Sequence, residues 1–402
     1  MFKKILSLTL AVVMLVGCVS MFASCGKTDE FKVGFICLHD ENSTYDKNFI
    51  DAAKAAQQAL GLSDDQVIIV TGIPETDACY QKAAELVDQG CDVIFANSFG
   101  HEDFMIQAAR EFPEVEFCHA TGTKAHTENL ANYHNAFASI YEGRYLAGVA
   151  AGMKLQEMRE AGELNNVNAP KIGYVGAFTY AEVISGYTSF YLGAKSVCPD
   201  VIMDVQFTGS WFDITAEKNA AEALIAGKCD LISQHADSMG APSACEAAGV
   251  PNISYNGSTV ETCPNTFIVS SRIDWQPYFE YMITSAKNGT AIATDWTGTL
   301  ETGSVKLTDV NTAAAAAGTV EKLAEVKAAL IAGTVKVFDV TTFTVGGQSV
   351  ADDHKADVDF DAKYTADTDV VDGGEFQESK YRSAPYFDLR IDGIVLINEI
   401  YE

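Results

Sequence analysis

The chain has 402 residues, 48% of them hydrophobic, and 55 acidic against 27 basic side chains leave a formal net charge of −28. So acidic a surface excludes nucleic acid and anionic lipid headgroups as natural partners, since both need a basic face. The length exceeds one ordinary hydrophobic core and predicts about two domains.

Residues 1–25 read as an export signal. Lys3 and Lys4 form a short basic region, and Ile5 to Val16 is an apolar run too short to span a membrane. Leu15-Val16-Gly17-Cys18 and Phe22-Ala23-Ser24-Cys25 both resemble the bacterial lipobox, whose cysteine is lipidated after cleavage. The first lies nearer the consensus, but the second leads into a polar tether, Gly26 to Glu30, which favours Cys25. A plain signal peptide is the alternative. A lipid chain there would hold the protein on the extracytoplasmic face of the cell membrane without a span.

Residues 31–155 form a first α/β unit. Apolar runs at Val33 to Leu38, Gln66 to Thr71 and Asp92 to Asn97 predict strands, and Phe49 to Leu60 and Ala78 to Gln89 predict helices between them. Glu116 to Gly122 and Asn132 to His134 are further strand candidates. Tyr141 to Gly152 is predicted as a helix whose small residues permit close packing. Glu160 to Ala169 reads as the first crossing between lobes.

Residues 170–271 repeat the pattern, with strands at Ile172 to Phe178, Ile202 to Thr208 and Asp230 to His235 and helices at Tyr187 to Val197 and Ala216 to Ala226. Lys32-Val-Gly-Phe recurs as Lys171-Ile-Gly-Tyr after 139 residues, Thr71-Gly72 as Thr208-Gly209 after 137, and Cys91-Asp92 as Cys229-Asp230 after 138. Near-constant offsets imply two similar units in tandem. Short apolar runs alternating with helices predict parallel sheets covered on both faces, with ligand beyond the carboxyl ends of the strands.

Residues 272–300 are expected to return to the first lobe and 303–350 to the second, giving hinge strands near Arg272 and Thr299 to Thr308. Trp275 to Ala286 predicts a helix, Ala313 to Ala332 an Ala-rich helical stretch, and Val335 to Phe338 with Phe343 to Val345 a terminal hairpin. Residues 351–402 are an extension, acidic at first and apolar from Ser383 to Ile397. The eight cysteines after the signal form no C-x-x-C pair, so no metal site is expected, and mostly free thiols are.

Enzyme signatures are missing. The chain has no P-loop, no dinucleotide-binding glycine motif and no H-E-x-x-H. Ala236-Asp237-Ser238-Met239-Gly240 has the outline of a nucleophile elbow but carries Ala236 where glycine belongs. A binding protein without a cofactor fits better.

Tyr141-Glu-Gly-Arg-Tyr-Leu-Ala-Gly148, Thr208-Gly-Ser-Trp-Phe-Asp213 and Gln234-His-Ala-Asp-Ser238 resemble the basic membrane protein family of bacterial substrate-binding lipoproteins. The resemblance runs from Lys32 to about Val350. It implies a periplasmic-binding-protein type I fold, an α/β architecture of two Rossmann-like lobes joined by a hinge. It also implies an ABC-transporter component, acting as a monomer, that captures a purine base or nucleoside and delivers it to a permease. His119-Ala-Thr-Gly122 and Arg272-Ile-Asp-Trp275 resemble a base-binding branch. Thr121 and Asn256 stand where nucleoside binders of the family commonly carry Asp, which favours a free base such as adenine.

A purine needs aromatic faces and edge donors or acceptors. Phe99, Phe178 and Trp211 lie just past strand ends and are candidates for stacking. Asp237 could accept from an exocyclic amine, and Ser43, Tyr45, Ser98 and Asn256 could serve ring nitrogens. Each has an ordinary structural alternative, such as a helix cap or core packing. His101 and His235 are lesser candidates. The cleft loops carry no Arg or Lys, which argues against a strongly anionic ligand. A sugar-binding or sensor protein of the same fold is the competing reading.

Overall fold

The computed structural model describes residues 30–359 and 366–401, so Cys18 and Cys25 lie outside the described residues. Two parallel sheets organise the chain. The first runs β2(Val67–Val70), β1(Val33–Ile36), β3(Val93–Ala96), β4(Glu116–Ala120), β5(Tyr133–Ala138), β11(Asp295–Gly298). The second runs β7(Ile202–Phe207), β6(Lys171–Gly176), β8(Leu231–His235), β9(Asn252–Tyr255), β10(Phe267–Ile273), β12(Val305–Leu307), with only β12 antiparallel. The strand order is the same in both, so the tandem repeat is a repeat of topology.

The repeat extends to side chains. Gly34 on β1 lies beneath Leu86 and Cys91, and Gly173 on β6 lies beneath Leu224 and Cys229. A methyl at either glycine would press on that leucine and sulfur, so glycine is kept where the helix seats on the central strand. The cysteines act as small core residues. All eight described cysteines are buried and unpaired.

Both faces of each sheet are covered. On the first sheet, Phe35 and Phe95 pack with Phe49 and Phe279, brought by the Thr44–Leu60 and Gln276–Asn288 helices. The opposite face buries Ile36 and Ile94 under Ala83, Leu86 and Met105. On the second sheet, Val175 and Ile232 are covered by Leu224 and Ala241. Its other face carries the Ile140–Ala161 and Ala181–Val197 helices, which cross at glycines.

That crossing differs from the sequence expectation. The Ile140–Ala161 helix packs on the second lobe, so the chain leaves the first lobe at Ser139 rather than at Glu160 to Ala169. Arg144 explains the preference. It is fully buried, its guanidinium donates to Tyr174 Oη and Ser233 Oγ at 2.9 Å each, and it lies 4.9 Å from the Phe190 ring centre. All these partners belong to the second lobe. The other crossings fall at Asp274 and at Thr299 to Ser304, and adjacent crossings are tied by Ser139 N to Gly298 O and Asp274 N to Ser304 O. Three adjacent strands of this kind allow bending without unfolding.

The C-terminal part departs further. Val335 to Phe338 is not a strand; the hairpin is Thr344–Val345 with Gln348–Ser349. Ala313 to Ala317 is not helical, and the helix there spans Thr319–Ile331. Ile394–Leu396 adds a parallel strand at the β7 edge.

Candidate ligand-binding cleft

The carboxyl ends of both sheets face each other. At the end of β3, Asn97 Oδ1 accepts from Leu38 N at 3.0 Å and its Nδ2 donates to Asp46 Oδ1 at 2.7 Å, joining two strand-end loops. Burial alone would raise the Asp46 carboxyl, but hydrogen bonds from His39, Asn97 and Ser43 outweigh it and hold the group below its usual range. Ser43 caps the Thr44–Leu60 helix, its Oγ accepting from Asp46 N at 3.2 Å.

The lobes touch. Asp237 O, in the second lobe, accepts from Thr44 N and Thr44 Oγ1, each at 3.1 Å. Asn48 Nδ2 donates to Asn256 Oδ1 at 3.4 Å, and the His39 and Phe212 rings lie 5.3 Å apart. This is a closed arrangement.

Between the lobes lies a crevice of about 20 Å³, walled by Tyr45, Asp46, Ser98 and Phe99 on one side and by Glu182, Trp211, His235 and Asp237 on the other. It holds about one water, so a heterocycle enters only with movement of rings or lobes. Phe99 faces Tyr180 across the cleft at 5.6 Å. Phe178 stacks on Tyr180 at 5.3 Å and meets Trp211 edge-on at 5.2 Å. Three of these rings thus meet from one lobe and one from the other.

Charge in the crevice is restrained by burial. Burial, with Glu217, Asp46 and Glu182 nearby, pushes Asp237 well above the usual carboxylate range, against the hydrogen bond from Asn256. Asn256 Nδ2 donates to Asp237 Oδ1 at 3.1 Å. Burial lowers the His235 imidazole, opposed by Glu182, whose Oε1 lies 3.3 Å from Nε2.

Of the residues singled out in the sequence, Tyr45, Ser98, Phe99, Thr121, Trp211, His235 and Asp237 line the crevice. Their polar atoms are partly committed: Tyr45 Oη donates to Asn97 O at 2.6 Å and Ser98 Oγ to Glu75 Oε1 at 2.5 Å. Ser43, Phe178 and Asn256 stand behind the wall and support it. His101 is buried, with Nε2 against Ile73 O at 3.0 Å. Asp46, Tyr180, Glu182 and Tyr255 were not singled out. Asp46 and Glu182 lie in or beside loops at strand ends, which was the available signal. Tyr255 is the last residue of β9, directly before Asn256-Gly257, and as an apolar strand residue it gave no signal of its own.

Thr121 and Asn256 follow β4 and β9, the same strand in each repeat, and each has φ +65°. Asn accepts the left-handed region readily, whereas a β-branched Thr there is strained. Strain of this kind gathers at ligand sites.

Two lobes of parallel sheet, three adjacent crossings and a strand-end cleft define the type I periplasmic-binding-protein fold. Solved structures share that fold. A solute-binding protein of Aeropyrum pernix K1 superposes with TM-score 0.64 at 16% identity, covering 76% of this chain and 93% of that one. One from Conexibacter woesei DSM 14684 gives 0.62 at 19% identity, covering 76% and 98%.

Residues 36–337 match the family model described as Bmp, ABC transporter substrate-binding protein PnrA-like, and the chain belongs to that family. It is 33% identical over 254 residues to a purine-binding protein of Brucella abortus (strain 2308), covering 62% of this chain and 67% of that one. It is 36% identical over 212 residues to a putative ABC transporter glucose-binding protein of Haloferax volcanii, covering 53% of this chain and half of the relative's length. An ABC transporter nucleoside-binding protein of Lactococcus lactis is 27% identical over 240 residues, with 57% and 63% covered. No helix among the described residues is long and apolar enough to cross a membrane.

Proposed function

We propose that this ABC-transporter component captures a purine, free or as its nucleoside, between its lobes and delivers it to a membrane permease. One observation carries the reading: aromatic rings from both lobes, Phe99 against Tyr180 with Trp211 beside Tyr180, meet beside a carboxyl group in a closable cleft. Flat heterocycles are held by such faces. The names of the Brucella and Lactococcus relatives support the same class of ligand. Ligand bridging both lobes stabilises the closed form by its differential affinity, and the task is retention rather than turnover. The protein acts as a monomer on the extracytoplasmic face, held by lipid on Cys25. The relative named for glucose favours a sugar as the second reading.

The test is calorimetric titration of soluble protein, stripped of carried-over ligand, with purine bases, their nucleosides and glucose. Purine binding that weakens roughly 5- to 100-fold in Trp211→Ala, as the loss of one stacked face implies, supports the reading. Binding of glucose alone, or purine binding indifferent to Trp211, overturns it.

A further inference from the structure

We propose that the C-terminal extension is a third wall of the ligand compartment and seats the sugar of a nucleoside beside the base. This rests on the purine reading above and decides within it between base and nucleoside.

The extension is built into the cleft by backbone pairing. Ile394–Leu396 runs parallel to β7, in register from Ile394 with Met203 to Leu396 with Val205. At the end of β7, the Asn398 side chain accepts from Phe207 N at 2.8 Å and donates to Phe207 O at 3.0 Å. Ile400 N then donates to Thr179 Oγ1, and Ile400 O accepts from Thr179 N, both at 2.8 Å. These pairs carry the chain to the strand ends where ligand binds. The preceding stretch reaches the other lobe: Ser383 N and Oγ donate to Asp295 Oδ1 on β11 at 2.9 and 2.8 Å.

The result is a compartment of about 600 Å³. Phe99, Thr121, Glu182 and Trp211 line both it and the inner crevice, so the two are continuous. Its outer wall is the extension, through Asp388, Arg390 and Tyr401 among others. The volume matches a whole small-molecule site of ~300–1,000 Å³.

The lining chemistry selects a neutral hydroxylated group. Arg382 and Arg390 offset Glu182 and Asp388, so the wall carries no net charge for an anion. Arg382 already donates to the carbonyls of Val358, Ala384 and Pro385, and Arg390 to Asp388 O and Tyr401 Oη. Asp388 differs. Burial raises its carboxyl, opposed by His354, its own backbone N–H and Arg390; among the described residues no side chain donates a hydrogen bond to it, so its oxygens are open to adjacent hydroxyls of a sugar. Thr121, Thr123 and Thr179 line the same space; the Thr121 and Thr123 hydroxyls already donate to Ala120 O and Glu102, which leaves their oxygens as acceptors, while the Thr179 oxygen accepts from Ile400 N and keeps its proton to donate. The preference for a free base drawn from Thr121 and Asn256 took account of the lobes alone.

The experiment compares adenine with adenosine, hypoxanthine with inosine, and adenosine 5′-monophosphate, in the full soluble chain and in Asp388→Asn and Asp388→Ala. Nucleoside affinity is expected to fall about tenfold or more in both variants, with base affinity within twofold and thermal stability unchanged. The monophosphate is expected to gain nothing over adenosine. Wild-type binding of bases but not nucleosides, equal loss of both ligands in the variants, or no loss overturns the inference and leaves the purine reading standing. Failure of the wild-type protein to bind any purine overturns both.

Discussion

Glu217 is fully buried beneath the Asp213–Ser238 corner, accepting from Ser238 N at 3.2 Å. Burial raises its carboxyl from the ordinary 4.5 to about 7, against hydrogen bonds from Ser238 and Asp213. The folded protein therefore holds that proton more tightly than the unfolded chain. Its contribution to stability is complete below about pH 4.5 and is lost as pH climbs through 7. Glu378, raised to about 7 by burial, acts in the same direction. Glu217→Gln is expected to gain on the wild type between pH 5 and 8, by roughly 3 kcal/mol at most. Urea denaturation across that range checks it, and parallel profiles would refute it. Nothing in the sequence marks Glu217, since the helix pattern places it beside exposed neighbours. Asp237, by contrast, was legible as a polar residue just past a strand end.

The helix pair on the second sheet shows what small residues do at the scale of an element. A methyl group at Gly148 would run into the Phe190 carbonyl oxygen, and one at Gly193 into that of Tyr145. Backbone cannot step aside as a side chain can, so overpacking here is costly. Gly148→Ala and Gly193→Ala are each expected to destabilise by about 3 kcal/mol, against the usual gain of a helical Gly→Ala change. A midpoint shift in denaturant measures it, and an unchanged or raised midpoint would refute it. The small-residue helix was legible from Tyr141 to Gly152, but its partner was not. Ala313 to Ala317 misled for a related reason. Alanine favours helix, yet Asn311 is tied to Pro264 O and Phe267 O through its side chain, and the helix starts only after Gly318 at φ +79°.

At the scale of the molecule, closure is set by few direct contacts. Thr44 Oγ1 donates across the cleft to Asp237 O and has no such partner once the lobes part. Thr44→Val removes one neutral hydrogen bond present only in the closed form. Ligand dissociation is expected to quicken roughly 2- to 10-fold, with the association rate little changed. Stopped-flow displacement reads both rates, and an effect confined to association would refute the assignment.

What the sequence determined by itself was whatever repeats or alternates along the chain: two tandem units, their central strands, the strand-end loops and the aromatic residues in them. Periodic burial and a near-constant offset are local properties of order, so they are written in the chain. Only the tertiary structure decided where the Ile140–Ala161 helix packs, because the partners of Arg144 lie up to 127 positions away. Only it brought Ile394–Leu396 to the β7 edge, since nothing in that three-residue run names a partner strand about 190 positions earlier in the chain. The wall made by Asp388, Arg390 and Tyr401 depends on that pairing and on the Asn398, Ile400 and Ser383 hydrogen bonds around it. A site assembled from segments some 200 residues apart has no signature along the chain, because its chemistry resides in distances that folding alone sets.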